Sequence, residues 1–230
     1  LINFIRYMFC VIWSVLMITL SIILMIILFN RKLPVVMART MWAPGILWGC
    51  GIRLTIHNDG FDTEKPHVFV SNHLSYLDIP VLFRAIPSNL YFIAKKEIQW
   101  LPFVGQYMMA TGMLFVNRDN KHKAILSLKK AARLVGKGKS VLMFPEGTRS
   151  KDGKINPFKK GPFHLAKDAG VSVVPVSISG TDKVLDIHSG KLTPGEVRVN
   201  IGKQVNPDEY PVIQTLIQEC QNRVEKMKAQ

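Results

Sequence analysis

The sequence predicts an α/β fold: a mixed, largely parallel sheet flanked by helices, with an N-terminal membrane-embedded two-helix motif. Three observations predict it. Residues 7–30 carry no charge. From about residue 52, short apolar runs of strand length alternate with amphipathic stretches, the order of a parallel or mixed sheet with helices packed on it. Charged residues gather just past the ends of those runs, where such a sheet presents its chemistry. A chain of 230 residues holds one good-sized core with room for one extra element.

The first element is the apolar run 7–29, bounded by Arg6 and by Arg31-Lys32. A spanning helix needs about 20 such residues. A signal peptide would have an apolar region of roughly 7–15 residues and a small-residue cleavage site, and neither is present. The second element is the stretch 34–51, with Met37, Met41, Trp42, Ile46, Leu47 and Trp48. Its tryptophans suit a membrane–water interface, and Pro44-Gly45 predicts a kink or break. Two arrangements follow: a hairpin dipping into one leaflet, or one full span plus an interfacial helix. Arg31, Lys32, Arg39 and Arg53 follow the apolar run and only Arg6 precedes it, which puts the main domain in the cytoplasm. Residues 1–51 form the membrane-embedded pair and 52–230 the α/β domain. The sequence opens at Leu1 rather than a methionine, as a chain lacking a few native residues would.

Strands are predicted at 53–57, 68–70, 91–94, 113–116, 141–144, 173–178 and 197–201. A helix opens near Ile79-Pro80, where proline suits a first turn. Another runs over 120–135, with Ile125, Leu128, Ala132 and Val135 on one face and Gly136 just past its end. Further helices are predicted at 162–168 and 212–227. Cys10, Cys50 and Cys220 are far apart in sequence, form no metal-ligand cluster and suit a reducing compartment. Cys220 falls on an amphipathic stretch and reads as packing. No internal repeat or low-complexity tract appears.

The net charge is +14, which predicts an anionic partner. It is concentrated: residues 118–167 hold 14 Lys or Arg against 3 Asp or Glu. The plainest use of such a face is attraction to anionic head groups; a sharper one is docking an acidic acyl carrier. Four clusters follow predicted strands. The first is Asn72-His73-Leu74-Ser75-Tyr76-Leu77-Asp78. His73 and Asp78 would diverge on a regular helix, so they meet only with His73 in a loop and Asp78 at a helix start. An Asp bonded to one imidazole nitrogen fixes the tautomer and leaves the other free to take a proton. The spacing alone equally fits a capping Asp beside a surface His. The second is Phe144-Pro145-Glu146-Gly147-Thr148-Arg149-Ser150, a glycine turn with an arginine suited to bidentate phosphate binding. The third ends Val116-Asn117-Arg118, and the fourth is Ala94-Lys95-Lys96-Glu97. Basic strand ends beside a His/Asp pair argue a phosphate site next to a base.

These blocks, in this order, resemble the 1-acyl-sn-glycerol-3-phosphate (lysophosphatidate) acyltransferases of bacterial phospholipid synthesis. Asn72-His73 with Asp78 matches the NHxxxxD block, and residues 112–118 match the block ending in a phosphate-binding Arg. Residues 144–150 match FPEGTRS in full, and Val173-Val174-Pro175-Val176 matches the apolar block with its proline. The resemblance implies a membrane-bound enzyme without cofactor or metal. It would move an acyl group from an acyl-acyl carrier protein or acyl-CoA thioester to the sn-2 hydroxyl of lysophosphatidate. His73 would be the base and Asp78 its orienting partner. Arg118, Lys95 and Arg149 would bind phosphate, and Glu146, Gly147 and Thr148 would shape the acceptor site. The implied partners are membrane lipids, lysophosphatidate and the thioester donor, with no nucleic acid. The implied location is the cytoplasmic face of the inner (plasma) membrane, and the membrane pair implied is the single-leaflet hairpin. Competing readings are an acyltransferase for another lysophospholipid or for glycerol 3-phosphate, and a non-enzymatic protein binding anionic lipid. A serine hydrolase is disfavoured because no GxSxG elbow occurs.

Overall fold

The computed structural model describes residues 1–116 and 121–229. Among these residues the strands are β1 (Ile52–Asn58), β2 (Val68–Ser71), β3 (Leu90–Lys95), β4 (Leu114–Val116), β5 (Ser140–Met143), β6 (Val173–Ser179) and β7 (Gly195–Ile201). They form one sheet in the order β1-β7-β6-β2-β5-β3-β4. Every neighbouring pair is parallel except β6 with β7. The mixed, largely parallel sheet expected from the sequence is present. Its central strand β2 is buried throughout, as a strand covered by helices on both faces must be. The edge strand β1 keeps an exposed face, which matches its alternating sequence.

The helices are α1 (Ile2–Ile27), α2 (Leu33–Met37), α3 (Ala43–Cys50), α4 (Asp78–Ala85), α5 (Val104–Thr111), α6 (Lys121–Val135), α7 (Gly161–Ala169), α8 (Thr181–Val184) and α9 (Ile213–Lys228). α9 packs on β6 and α7 on β2, while α4 lies under α3. On α9 the buried stripe is Leu216, Ile217, Cys220, Val224 and Met227, the spacing of one helix face. Burial pushes the Cys220 thiol up to about 12, so it is a protonated packing group.

Pro44-Gly45 does not break the second apolar segment. The chain stays helical from α2 into α3 through one π-helical stretch, Ala38–Trp42. In a regular helix the Pro44 ring would meet the carbonyl four residues back; the wider π turn accommodates it. Gly45 and Gly49 then lie against α1. A Cβ at Gly45 would meet the Trp13 ring at 2.1 Å, and one at Gly49 would meet Phe9 at 2.4 Å. Two small residues four apart let helices approach closely in lipid. The same approach brings Cys10 and Cys50, distant in sequence, to a sulfur separation of 3.6 Å. Trp42 turns towards α1: its Nε1 donates to Ser14 at 3.0 Å, and Trp13 Nε1 donates to the Trp42 carbonyl at 3.1 Å. Trp48 is exposed.

α1 is long and apolar enough to cross a membrane, and it is an element for membrane association. It lies along the α/β layer. Tyr7 donates to the Gly190 carbonyl, Met17 and Ser21 are buried over the sheet region, and past its end Tyr107 of α5 donates to the Pro34 carbonyl at 3.0 Å. Buried residues of α2 and α3 belong to the same apolar core as the strands, so the sequence boundary near 51 is not a break in packing.

At the end of β2 the ladder is continued by a side chain. Asn72 Nδ2 donates to the Ile178 carbonyl at 2.9 Å, and the Ile178 N–H donates to Asn72 Oδ1 at 2.8 Å. Asn72 is fully buried. Replacing it with alanine leaves both backbone groups of Ile178 unpaired. We expect Asn72→Ala to cost about 2–4 kcal/mol of stability, measured by chemical denaturation of the detergent-solubilised chain.

Candidate active site

The backbone leaves the sheet at Asn72, and the next residues wrap one carboxylate. Asp78, the first residue of α4, has no exposed surface. Its Oδ2 accepts from His73 Nδ1 at 2.7 Å, from the Leu74 N–H at 2.6 Å and from the Ser75 N–H at 3.0 Å. Its Oδ1 accepts from the Thr181 hydroxyl, which is itself fully buried. An acidic group in the first turn of a helix is also favoured by the helix dipole. Because the carboxylate accepts at Nδ1, that nitrogen carries the imidazole proton and Nε2 is left with its lone pair. The loop geometry the His/Asp pair requires is therefore present. Asp78 is sealed, whereas His73 keeps 17% of its side chain exposed.

The imidazole is held on its other sides as well. Its ring stacks on Phe144, with centroids 3.9 Å apart and planes 12° from parallel. The His73 N–H donates to Glu146 Oε1 at 2.8 Å, and the His73 carbonyl accepts from the Ser150 N–H at 2.8 Å. Glu146 Oε2 accepts from the backbone and side-chain N–H groups of Asn156, at 2.8 and 2.9 Å. Glu146 is buried and ties the loop after β5 to the loop after β2. It shapes the site from behind, through backbone.

Arg149 lies over the Tyr76 ring, 3.8 Å from its centroid, and donates to the Tyr76 hydroxyl at 3.1 Å. Such a stack fixes a guanidinium while leaving its edge able to bind an anion. Lys95, at the end of β3, has its Nζ 3.4 Å from Glu97 and is half exposed. Gly147 turns the chain before Arg149, and Thr148 is exposed there. Arg118 lies outside the described residues. The structure thus gathers His73, Asp78, Glu146 and Arg149 around one loop junction, with Lys95 on the same rim.

A cavity of about 420 Å³ opens beside this junction. His73, Tyr76 and Lys95 stand at its polar end. Phe83, Phe92 and Met108 line its body, and Met17, Ile18 and Ser21 of α1 form part of its wall. Sequence reasoning did not find Thr181, Phe144 as a stacking partner, Asn156 or Tyr76. Thr181 stands 103 positions from Asp78 and has no local pattern to mark it. The rings of Phe144 and Tyr76 lay within the motifs but carried no sign of a partner.

A carboxylate-held imidazole at the strand ends, beside an apolar cavity, marks an α/β protein whose histidine can accept a proton next to a space lined by apolar side chains. The acyltransferase family model matches residues 53–179, and the chain belongs to that family. Among similar proteins, the chloroplastic 1-acyl-sn-glycerol-3-phosphate acyltransferase of Brassica napus is 43% identical over 62% of this chain and 42% of its own length. The Saccharomyces cerevisiae 1-acyl-sn-glycerol-3-phosphate acyltransferase is 37% identical over 63% of this chain and 49% of its own. The human alpha form is 32% identical over 71% and 60%. The chain spans about half the length of the curated relatives it matches. The crystal structure of the 1-acyl-sn-glycerophosphate acyltransferase PlsC from Thermotoga maritima shares the fold. Its TM-score is 0.80 at 24% identity, over 98% of this chain and 93% of that one.

Thr181→Val keeps the shape of the side chain and removes its proton from a buried carboxylate. The expected loss is about 1–3 kcal/mol of stability, read by denaturation, with Thr181→Ser restoring most of it. Equal stability of Val and Ser variants would remove the hydroxyl from the network.

Proposed function

We propose that this chain transfers a fatty acyl group from a thioester donor to the sn-2 hydroxyl of 1-acyl-sn-glycerol 3-phosphate, giving phosphatidate. One observation carries the proposal: the oriented imidazole of His73 stands at the polar end of an apolar cavity whose wall includes the membrane helix α1. A base, a place for a long chain and a membrane source of that chain meet at one point. The names of the relatives support the acceptor.

In the reaction His73 Nε2 takes the hydroxyl proton as the oxygen attacks the thioester carbonyl. The tetrahedral intermediate collapses, the carbon–sulfur bond breaks, and the imidazolium returns the proton to the leaving thiolate. Asp78 holds the ring and balances the charge that appears on it. No enzyme nucleophile takes part, because the substrate hydroxyl attacks directly. Lys95 and Arg149 bind the acceptor phosphate, joined by Arg118 on the strength of its motif. Glu146 with Gly147 and Thr148 sets the loop around the glycerol. The acyl chain lies in the cavity, and the cavity's depth sets the chain accepted. The donor is an acyl-acyl carrier protein or acyl-CoA. Lys129, Lys130, Arg133 and Lys137 are exposed on and after α6 and suit either acidic carrier.

Residues 1–51 act as the membrane-embedded pair and 52–230 as the acyltransferase domain. Contact of the layer with both the Tyr7 and Pro34 ends of the pair supports a hairpin in one leaflet. The basic residues after α1 support the cytoplasmic face of the inner membrane.

The test is transfer of labelled acyl groups to lysophosphatidate by the purified chain in lipid, alongside other lysophospholipids and glycerol 3-phosphate. His73→Ala should lower the rate by about 10²–10⁴; full activity without His73 overturns the base assignment, and no activity with any acceptor favours an anionic-lipid-binding protein. Arg149→Ala should raise the acceptor KM more than the donor KM. Ser21→Trp places a large ring in the cavity and should retain short acyl chains while losing long ones.

A further inference from the structure

The stretch that leads into α5 is apolar and exposed. After a 3₁₀ turn, Lys96–Trp100, the chain runs Trp100-Leu101-Pro102-Phe103-Val104. Trp100 is 79% exposed, Leu101 49%, Phe103 47% and Val104 38%. Apolar side chains of this size gain by leaving water, so their shared exposure is costly.

The backbone is held in a conformation that presents them. Phe103 has φ 64° and ψ −53°, and the Val104 N–H donates to the Pro102 carbonyl at 2.7 Å. This is a γ-turn of the rare, strained hand. Gly105 locks it from behind: a Cβ there would meet the Gln99 carbonyl oxygen at 2.1 Å. Strain that holds an aromatic ring outward has no benefit in water. It is repaid if the ring enters an apolar phase.

Leu101 and Val104 are exposed, yet they also line the cavity, facing Met17 and Ile18 of α1. The rim of the cavity therefore passes between this segment and α1, whose outer face is apolar and exposed along Val11, Ile12, Leu16 and Ile23. Lys95 and Lys96 precede the segment and are exposed, two cations that suit anionic head groups.

We propose that residues 100–104 form a wedge that inserts into the same leaflet as α1, and that the gap between the two is the lipid-facing mouth of the cavity. The occupant of this surface is the bilayer. Tryptophan leads the wedge, as it does at membrane interfaces. Two hydrophobic anchors side by side fix the rotation of the domain over the membrane, which one hairpin alone would leave free. A chain then enters the cavity without crossing water. The mouth assignment rests on the acyl-chain reading of the cavity; the insertion does not.

The experiment places the photo-crosslinking residue p-benzoylphenylalanine singly at positions 100, 103 and 212 in the full chain, reconstituted in vesicles of phosphatidylcholine and phosphatidylglycerol. Val212 is equally apolar and 59% exposed, outside the wedge. Lipid adducts at 100 and 103 and none at 212 are expected. Absence of adducts at 100 and 103, or equal adducts at 212, overturns the insertion. In parallel, Trp100→Asp combined with Phe103→Asp is assayed on acceptor in vesicles and in detergent micelles. The vesicle rate should fall about tenfold or more as two aromatic side chains lose their place in the lipid, with the micelle rate retained. An equal fall in both overturns the mouth. A wild-type chain inactive on every acceptor would end the catalytic reading while the crosslinks still report on insertion.

Discussion

One buried carboxylate organises the strand-end site of this molecule. Asp78 is removed from water entirely, and a charge so placed must find partners from the protein. It takes them from an imidazole, two consecutive backbone amides and a hydroxyl that follows β6. Those partners come from two places in the chain, the loop after β2 and the turn after β6, while Asp78 itself opens α4. Satisfying the charge therefore assembles the site. The same bonds that stabilise the anion choose the tautomer of His73 and its angle.

Around this centre the loops are tied by side chain to backbone. Asn72 continues the β2–β6 ladder past its last residue, and Glu146 bridges His73 and Asn156. Each tie fixes a main-chain segment that would otherwise turn freely at a strand end. The stacked Phe144 ring then limits the last motion left to the imidazole. The geometry of the site rests on buried strand ends plus bonds to their loops.

Much of this was legible in the sequence. All the predicted strands between 53 and 201 are found, because buried parallel strands write themselves as short apolar runs closed by turn residues. The end at Phe144 differs: β5 stops at Met143 and the ring turns to His73 instead. The His/Asp pairing was legible as a geometric condition, since the two residues meet only across a loop–helix junction. Thr181 was not, because a contact across 103 residues leaves no periodicity to read. Pro44-Gly45 was misread as a break. Local propensity argues correctly that proline disrupts an α-helix, but a π turn removes the clash, and Gly45 is set by the neighbouring Trp13 ring rather than by its own backbone. The wedge was also missed: exposed apolar residues in a loop look like core in a sequence until their surroundings are known. Arg118, read as a phosphate ligand, lies outside the described residues.

The wall that α1 contributes to the cavity has a thermodynamic consequence. Met17, Ile18 and Ser21 belong both to the membrane helix and to the space beside His73. An occupant of that space touches α1 and the sheet together, so its binding free energy is shared with the docking of the helix. By linkage, whatever fills the cavity tightens α1 against the domain, and whatever loosens α1 weakens the occupant in equal measure. Any force that acts on the outer face of α1 thereby becomes a variable that tunes affinity at a site it never touches.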